Sequence, residues 1–217
     1  GSNFNPQHLT ISPERIKNDI RNYGCVLATA AYIAYSITGN VLSLAEANQI
    51  LKENDVFVYE KDKYGHVALD SNGIAEKNML NCGEVYVKSV NTLANGDYLE
   101  MDGKNFSVSA VVNENKKFYD NRQNIFNRIV KNSKSEDEVY FTHMRVNGEH
   151  SVLLDSIFYT DESDYKSSSF TVMDPWKGGK FGPKSWADIS RADFYKLTDA
   201  GKEVYAMTRK ALRASAS

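Results

Sequence analysis

The stretch that decides the reading runs Asn22-Tyr23-Gly24, then CVLATAAYIAYSIT over Cys25–Thr38, then Gly39-Asn40. Its apolar residues fall on nearly every side, and a helix apolar all round is one buried in the middle of a domain. The break before it and the glycine after it give both ends, so Cys25 lands in the first turn of a central helix. There the unpaired amides and the positive end of the helix dipole favour a thiolate. The same amides suit the oxyanion formed when a carbonyl is attacked. Against this stands the ordinary use of a single cysteine as a small apolar core residue.

Upstream, Ser12-Pro13-Glu14 has a cap residue and a first-turn proline, which predicts a short helix over 12–20. Downstream, 43–53 reads as an amphipathic helix with Leu44, Ala47, Ile50 and Leu51 on one face, and a further helix is expected over 71–80. The period then changes. Residues 84–90, 98–101 and 105–112 alternate like strands, with Asp102-Gly103 as a hairpin turn, and 118–131 returns to helix. Strands are expected over 139–146 and 151–159, joined through Asn147-Gly148, and over 169–173 after a polar loop at 160–168. A last strand is expected over 202–208, after the break at Gly201. Helices first and an antiparallel sheet after them make an α+β fold. One domain over 1–209 is expected, with 84–131 as an insertion or lid and 210–217 as a loose tail.

Composition bounds the function without naming it. With 217 residues, 41% of them hydrophobic and 25% charged, the chain is that of a globular protein able to bury a full core. A net charge of −2 argues against nucleic acid or a membrane surface as partner, and no stretch has transmembrane length. Gly1-Ser2 has the form left by tag removal, so no compartment is read from the start of the chain. The 13 tyrosines fit half-buried sheet positions as readily as a cleft.

Two cysteines and four histidines supply the candidate chemistry. Asn81-Cys82-Gly83 also resembles a break carrying a cysteine, but the strand pattern expected after it provides no dipole, so Cys82 reads as structural. His8 falls in the N-terminal segment, His66 in a loop, and His143 inside a strand, where packing is its expected role. His150 opens the run Ser-Val-Leu-Leu, held by rigid backbone yet near a sheet end, which is what a general base requires. Asp174 closes the strand over 169–173 and precedes Pro175, which has no amide to extend the ladder. It could accept from an imidazole and select its tautomer, with Trp176 shielding that bond from water. One Cys, one His and one Asp, widely separated, make a poor zinc signature, and no metal or cofactor is expected.

These residues resemble a known family. Tyr23-Gly24-Cys25 opening an Ala-rich helix is similar to the helix start of the C39-like, bacteriocin-processing papain-fold peptidases. Asn48-Gln49-Ile50-Leu51 resembles the Asn-x-x-Leu helix that follows, His150-Ser-Val-Leu-Leu the His strand, and Val172-Met-Asp174-Pro175 the Asp-Pro strand end. The four motifs keep the family's order between Ser12 and Trp176, and NlpC/P60 amidases fit them less well. The resemblance implies a papain-like fold, with the Cys helix packed on an antiparallel sheet carrying His and Asp. It implies a catalytic triad of Cys25, His150 and Asp174 that cleaves a peptide or protein substrate through an acyl-enzyme. It also allows a secreted setting, as a module of a larger extracellular bacterial protein. One position departs from the pattern. Where papain-like enzymes carry an oxyanion-donating Gln, this chain has Asp19, flanked by Asn18 and Asn22. A carboxylate repels an oxyanion, whereas either Asn could donate beside the Cys25 amide. Two other uses therefore stay open: peptide or protein binding without turnover, and acyl transfer of the transglutaminase or deamidase kind.

Overall fold

A computed structural model describes residues 24–59, 62–69, 77–78, 83–103, 106–107, 109–111, 118–147, 150–177 and 180–216. The expected helix over 12–20, and with it Asn18, Asp19 and Asn22, lies outside the described residues, as does Cys82. The chain divides into two compact units, 1–99 with 199–217 and 100–198.

The first unit is built on helix α1 (Cys25–Thr38), which has the expected bounds and buries residues on every side, among them Cys25, Leu27, Ala30, Ile33 and Ile37. Gly39 ends it in the left-handed region (φ 77°), its amide donating to the Tyr35 carbonyl at 2.7 Å. Helix α2 (Leu44–Glu53) opens on a capping box, in which Ser43 and Glu46 each accept the other's backbone amide. Two short strands, β1 (Val58–Tyr59) and β2 (Lys77–Asn78), pair antiparallel, so the helix expected over 71–80 is corrected at 77–78.

Two expected strands of this unit are helices. Residues 84–90 lie in α3 (Gly83–Ala94). The run Glu-Val-Tyr-Val-Lys alternates over a short window. The buried positions Tyr86, Ser89, Val90, Leu93 and Ala94 follow the helical spacing instead, and α3 packs on α1. Residues 202–208 lie in the last helix (Asp199–Ser215), which also takes in most of the tail expected to be loose. Gly201 reads as a breaker, yet it serves close approach. A Cβ there would lie 2.1 Å from the Tyr98 carbonyl oxygen. The same helix docks on the end of α1, where Thr208 Oγ1 donates to the Ile37 carbonyl at 2.7 Å and Arg209 donates to the Ser36 carbonyl.

The second unit carries an open antiparallel sheet. Its strands are β3 (Leu99–Met101), β4 (Phe106–Ser107), β7 (Tyr140–Val146), β8 (His150–Phe158), β9 (Ser169–Asp174), β10 (Lys180–Lys184) and β11 (Ile189–Leu197). The order is β10-β9-β8-β7-β11-β3, with β4 also on β11. Strands β5 (Ser109–Val111) and β6 (Phe118–Asp120) form a separate pair. Among the described residues β3 and β4 both pair with β11 rather than with each other, in place of the hairpin expected at Asp102-Gly103. The Asp102 amide donates to the Phe194 carbonyl at 2.9 Å and its carboxylate meets Arg128 at 2.6 Å. The helix expected over 118–131 begins later, as α4 (Arg122–Ser133), since 118–120 belong to β6. Ile125, Phe126 and Ile129 of α4 pack on Met144, Val152, Val172 and Phe194 as the core of this unit, so the last helix of the chain is α5. No helix among the described residues is long and apolar enough to cross a membrane.

Candidate functional site

In the first unit Cys25 occupies the first turn of α1 and is 7% exposed. Gly24 before it offers no side-chain cap, and the first turn holds no acidic residue. One turn on, the fully buried Tyr86 hydroxyl donates to Thr29 Oγ1 at 2.9 Å, and Thr29 donates to the Val26 carbonyl at 2.8 Å. The start of α1 is thereby tied to α3, the kind of support that holds a reactive side chain in place.

In the second unit the sheet brings His150 and Asp174 together. His150 begins β8 opposite Val146, and Asp174 ends β9, in the same face alternation as the core residues Val152 and Val172. His150 Nε2 lies 2.7 Å from Asp174 Oδ1, and both residues are buried. The backbone turns sharply after Asp174, so the Trp176 amide also donates to Oδ1, at 3.0 Å. The Trp176 ring stacks on the imidazole, centroids 3.6 Å apart and planes 18° from parallel. Lys184 of β10 takes the other oxygen, Oδ2, at 3.2 Å.

The electrostatics of the pair follow from these contacts. Burial pushes the Asp174 carboxyl up, but the His150 hydrogen bond and charge, Lys184 and the Trp176 amide together hold it below its ordinary value. Asp174 is thus ionised at neutral pH and acts only as an acceptor. Nε2 of His150 therefore carries a hydrogen, and in the neutral imidazole the lone pair falls on Nδ1. Nδ1 is buried and has no hydrogen-bond partner among the described residues. A basic nitrogen oriented by a carboxylate, shielded on one face by an indole and without a hydrogen-bond partner among the described residues, is equipped to take a proton.

A second histidine–aspartate pair supplies an internal comparison. His143 of β7 faces Asp193 of β11 in register, but Nδ1 and Oδ2 are 3.9 Å apart and Arg191 sits on Asp193 Oδ1 at 3.1 Å. Burial, then the charges of Arg145 and Arg191, push His143 down to about 3, so it stays neutral in the middle of the sheet. His66 is exposed in its loop, 3.7 Å from Asp62. No group of three His, Cys, Asp or Glu side chains among the described residues could hold a metal.

Lys184 escapes sequence reasoning, because no strand is expected over 180–184. Trp176 was expected to shield the His–Asp bond, and it covers the imidazole face. No protein-family model, no curated protein and no solved structure matches the chain.

Proposed function

We propose that the protein is a papain-like thiol hydrolase acting on peptide or peptide-like amide bonds, with Cys25 as nucleophile, His150 as base and Asp174 as orienting carboxylate. The observation that carries this reading is the His150–Asp174 pair itself, with its Nδ1 buried and without a partner among the described residues. The helix start at Cys25 supports it independently, since the first turn of α1 contains no acidic residue.

In the proposed cycle His150 Nδ1 takes the Cys25 proton, and Sγ attacks the amide carbon to give an oxyanion. Amides at the start of α1 are the proposed donors to it. The C–N bond then breaks, the imidazolium giving its proton to the leaving amine, and an acyl-thioester remains on Cys25. Water attacks the thioester, His150 takes its proton, and the acid is released as the thiol is restored.

Iodoacetamide labelling of the intact chain tests the assignment without a known substrate. Near neutral pH Cys25 should be alkylated far faster than Cys82, and His150→Ala should remove most of that advantage. Equal, slow alkylation of both cysteines in the wild type would refute an activated thiolate. With a reactive thiol in hand, mass spectrometry of a treated peptide library separates hydrolysis from acyl transfer and from binding without turnover.

A further inference from the structure

Asp174 can orient His150 only if the carboxylate itself is kept from turning. Its Oδ1 receives two donors, the His150 ring and the Trp176 amide, and its Oδ2 receives one, the Lys184 ammonium. All three are donors to an acceptor-only group, so each removes one way for the carboxylate to swing about its terminal torsion. Lys184 does this from an unusual place. It belongs to β10, at the edge of the sheet, where a lysine normally points to solvent and discourages further pairing. In register Lys184 stands opposite Phe170, whereas the residue opposite Asp174 is the exposed Lys180. The Lys184 side chain therefore runs back along the sheet to reach the carboxylate, and it is 16% exposed. A lysine surrenders substantial rotamer freedom in such a pose, and an exposed ion pair would return little for it. Here the partner is a buried carboxylate that already serves a histidine.

We propose that Lys184 is a positioning residue of this site, locking the Asp174 carboxylate in the orientation that fixes the His150 ring. The inference rests on the hydrolase reading for its role in turnover, but not for its effect on Asp174. Lys184 touches neither substrate nor reacting atoms in this scheme; it acts through Asp174, and Asp174 acts through the imidazole. Among the described residues, the side chains acting on that carboxylate are His150 from β8 and Lys184 from β10, each through a hydrogen bond.

The test compares Lys184→Met and Lys184→Arg in the full chain, with Lys184→Gln as a second uncharged variant should the methionine fail to fold. Nuclear magnetic resonance reads the titration of the Asp174 carboxyl carbon and the exchange of the His150 Nε2 proton with water. In Lys184→Met the Asp174 midpoint should rise by about half a pH unit or more, since an adjacent cation is lost. The Nε2 proton should exchange roughly tenfold faster as the carboxylate loosens, and Lys184→Arg should restore both. On a peptide substrate kcat should fall by about five- to twentyfold with KM nearly constant, because a positioning defect is felt in the transition state. A folded Lys184→Met or Lys184→Gln protein whose Asp174 midpoint and Nε2 proton match the wild type would overturn the proposal. Both spectroscopic readouts are independent of turnover. A chain that hydrolyses no peptide yet shows them refutes the hydrolase reading and supports the role of Lys184 on Asp174.

Discussion

Replacing Asp174 by Asn makes a sharp prediction, because the donors around the carboxylate are unequally divided. His150 Nε2–H and the Trp176 amide both point at Oδ1, and Lys184 points at Oδ2. An asparagine has one oxygen to offer. Two neutral hydrogen bonds are worth about 1 kcal/mol each, while one to a charged lysine is worth about 1.5–3 kcal/mol. With the charged bond at the upper end of that range, the amide oxygen turns toward Lys184 by about 1 kcal/mol, which presents its NH2 group to His150. Nε2 must then accept, the hydrogen moves to Nδ1, and the base is lost to the wrong tautomer. Losing the carboxylate opposite an imidazolium adds to this. At an effective dielectric near 20 a pair about 4 Å apart is worth at most ~4 kcal/mol. We expect Asp174→Asn to lower the Cys25 alkylation rate, and kcat/KM on a responsive peptide, by roughly 10²–10³-fold. Adding Lys184→Met to Asp174→Asn removes the competing donor, so the oxygen returns to His150 and activity recovers by roughly three- to tenfold. The same Lys184→Met change is harmful beside the wild-type aspartate, so its effect reverses sign with the residue at 174. Measured rates in which Lys184→Met costs activity in both backgrounds would refute the reasoning about how this carboxylate is held.

Four further outcomes are expected. His143 is held to about 3 in the fold against an ordinary value near 6.5. Between these values the unfolded chain binds the extra proton, so stability is lost as pH falls through that window, by about 2 kcal/mol from pH 7 to 5. Urea denaturation at both pH values reads this, and His143→Gln should flatten the difference. Tyr86→Phe removes the hydroxyl that donates to Thr29 and should cost about 1 kcal/mol of stability by denaturant titration, with slower Cys25 alkylation if that bond steadies the start of α1. Trp176→Ala should lower activity about tenfold while shifting the melting temperature little, since the indole is 60% exposed and contributes chiefly by covering His150. Gly201→Ala sets a Cβ 2.1 Å from the Tyr98 carbonyl oxygen and should destabilise by about 1–3 kcal/mol, whereas helix propensity alone predicts a gain.

What was legible in the chain depended on how long each signal ran. The fourteen-residue apolar run of α1, bounded by Gly24 and Gly39, left no alternative to a buried helix. The one-sided apolar pattern over 43–53 marked α2, and the strands expected over 139–146 and 151–159 correspond to the paired β7 and β8. The failures share one cause. Glu84-Val-Tyr-Val-Lys-Ser-Val90 and Lys202-Glu-Val-Tyr-Ala-Met-Thr208 carry Val and Tyr within seven residues, enough to imitate a strand. Only over the full helix does the 3.6-residue period emerge, and packing on α1 enforces it. Strand β11 was hidden for the opposite reason. A register shift between Ile189 and Arg191 breaks its alternation, and Arg191, Asp193 and Lys196 disguise a strand whose Ala192 and Phe194 are buried. In the site, strand ends announced His150 and Asp174, while Lys184 depends on a sheet edge that local sequence does not reveal.

The helix at Gly83–Ala94 also changes the argument about the two cysteines. Cys82 was set aside because a strand was expected after it, and that ground is gone, since α3 begins one residue later. Sequence position alone therefore no longer separates the two cysteines, since described helices begin at Cys25 and at Gly83. Charge does. The first turn of α3 contains Glu84, whereas the first turn of α1 contains no acidic residue. A carboxylate in the first turn uses the same positive end of the dipole that would stabilise a thiolate, an effect of about 0.3–1 kcal/mol at an exposed terminus. The larger difference is the base: we assign His150 to Cys25 and no counterpart to Cys82. Glu84→Gln should therefore raise the alkylation rate of Cys82 by no more than about fivefold, the rate equivalent of that dipole contribution. His150→Ala should slow Cys25 by far more than that. If Glu84→Gln instead brought Cys82 level with wild-type Cys25, the helix start alone would account for the thiol's reactivity and the histidine would have no part in it.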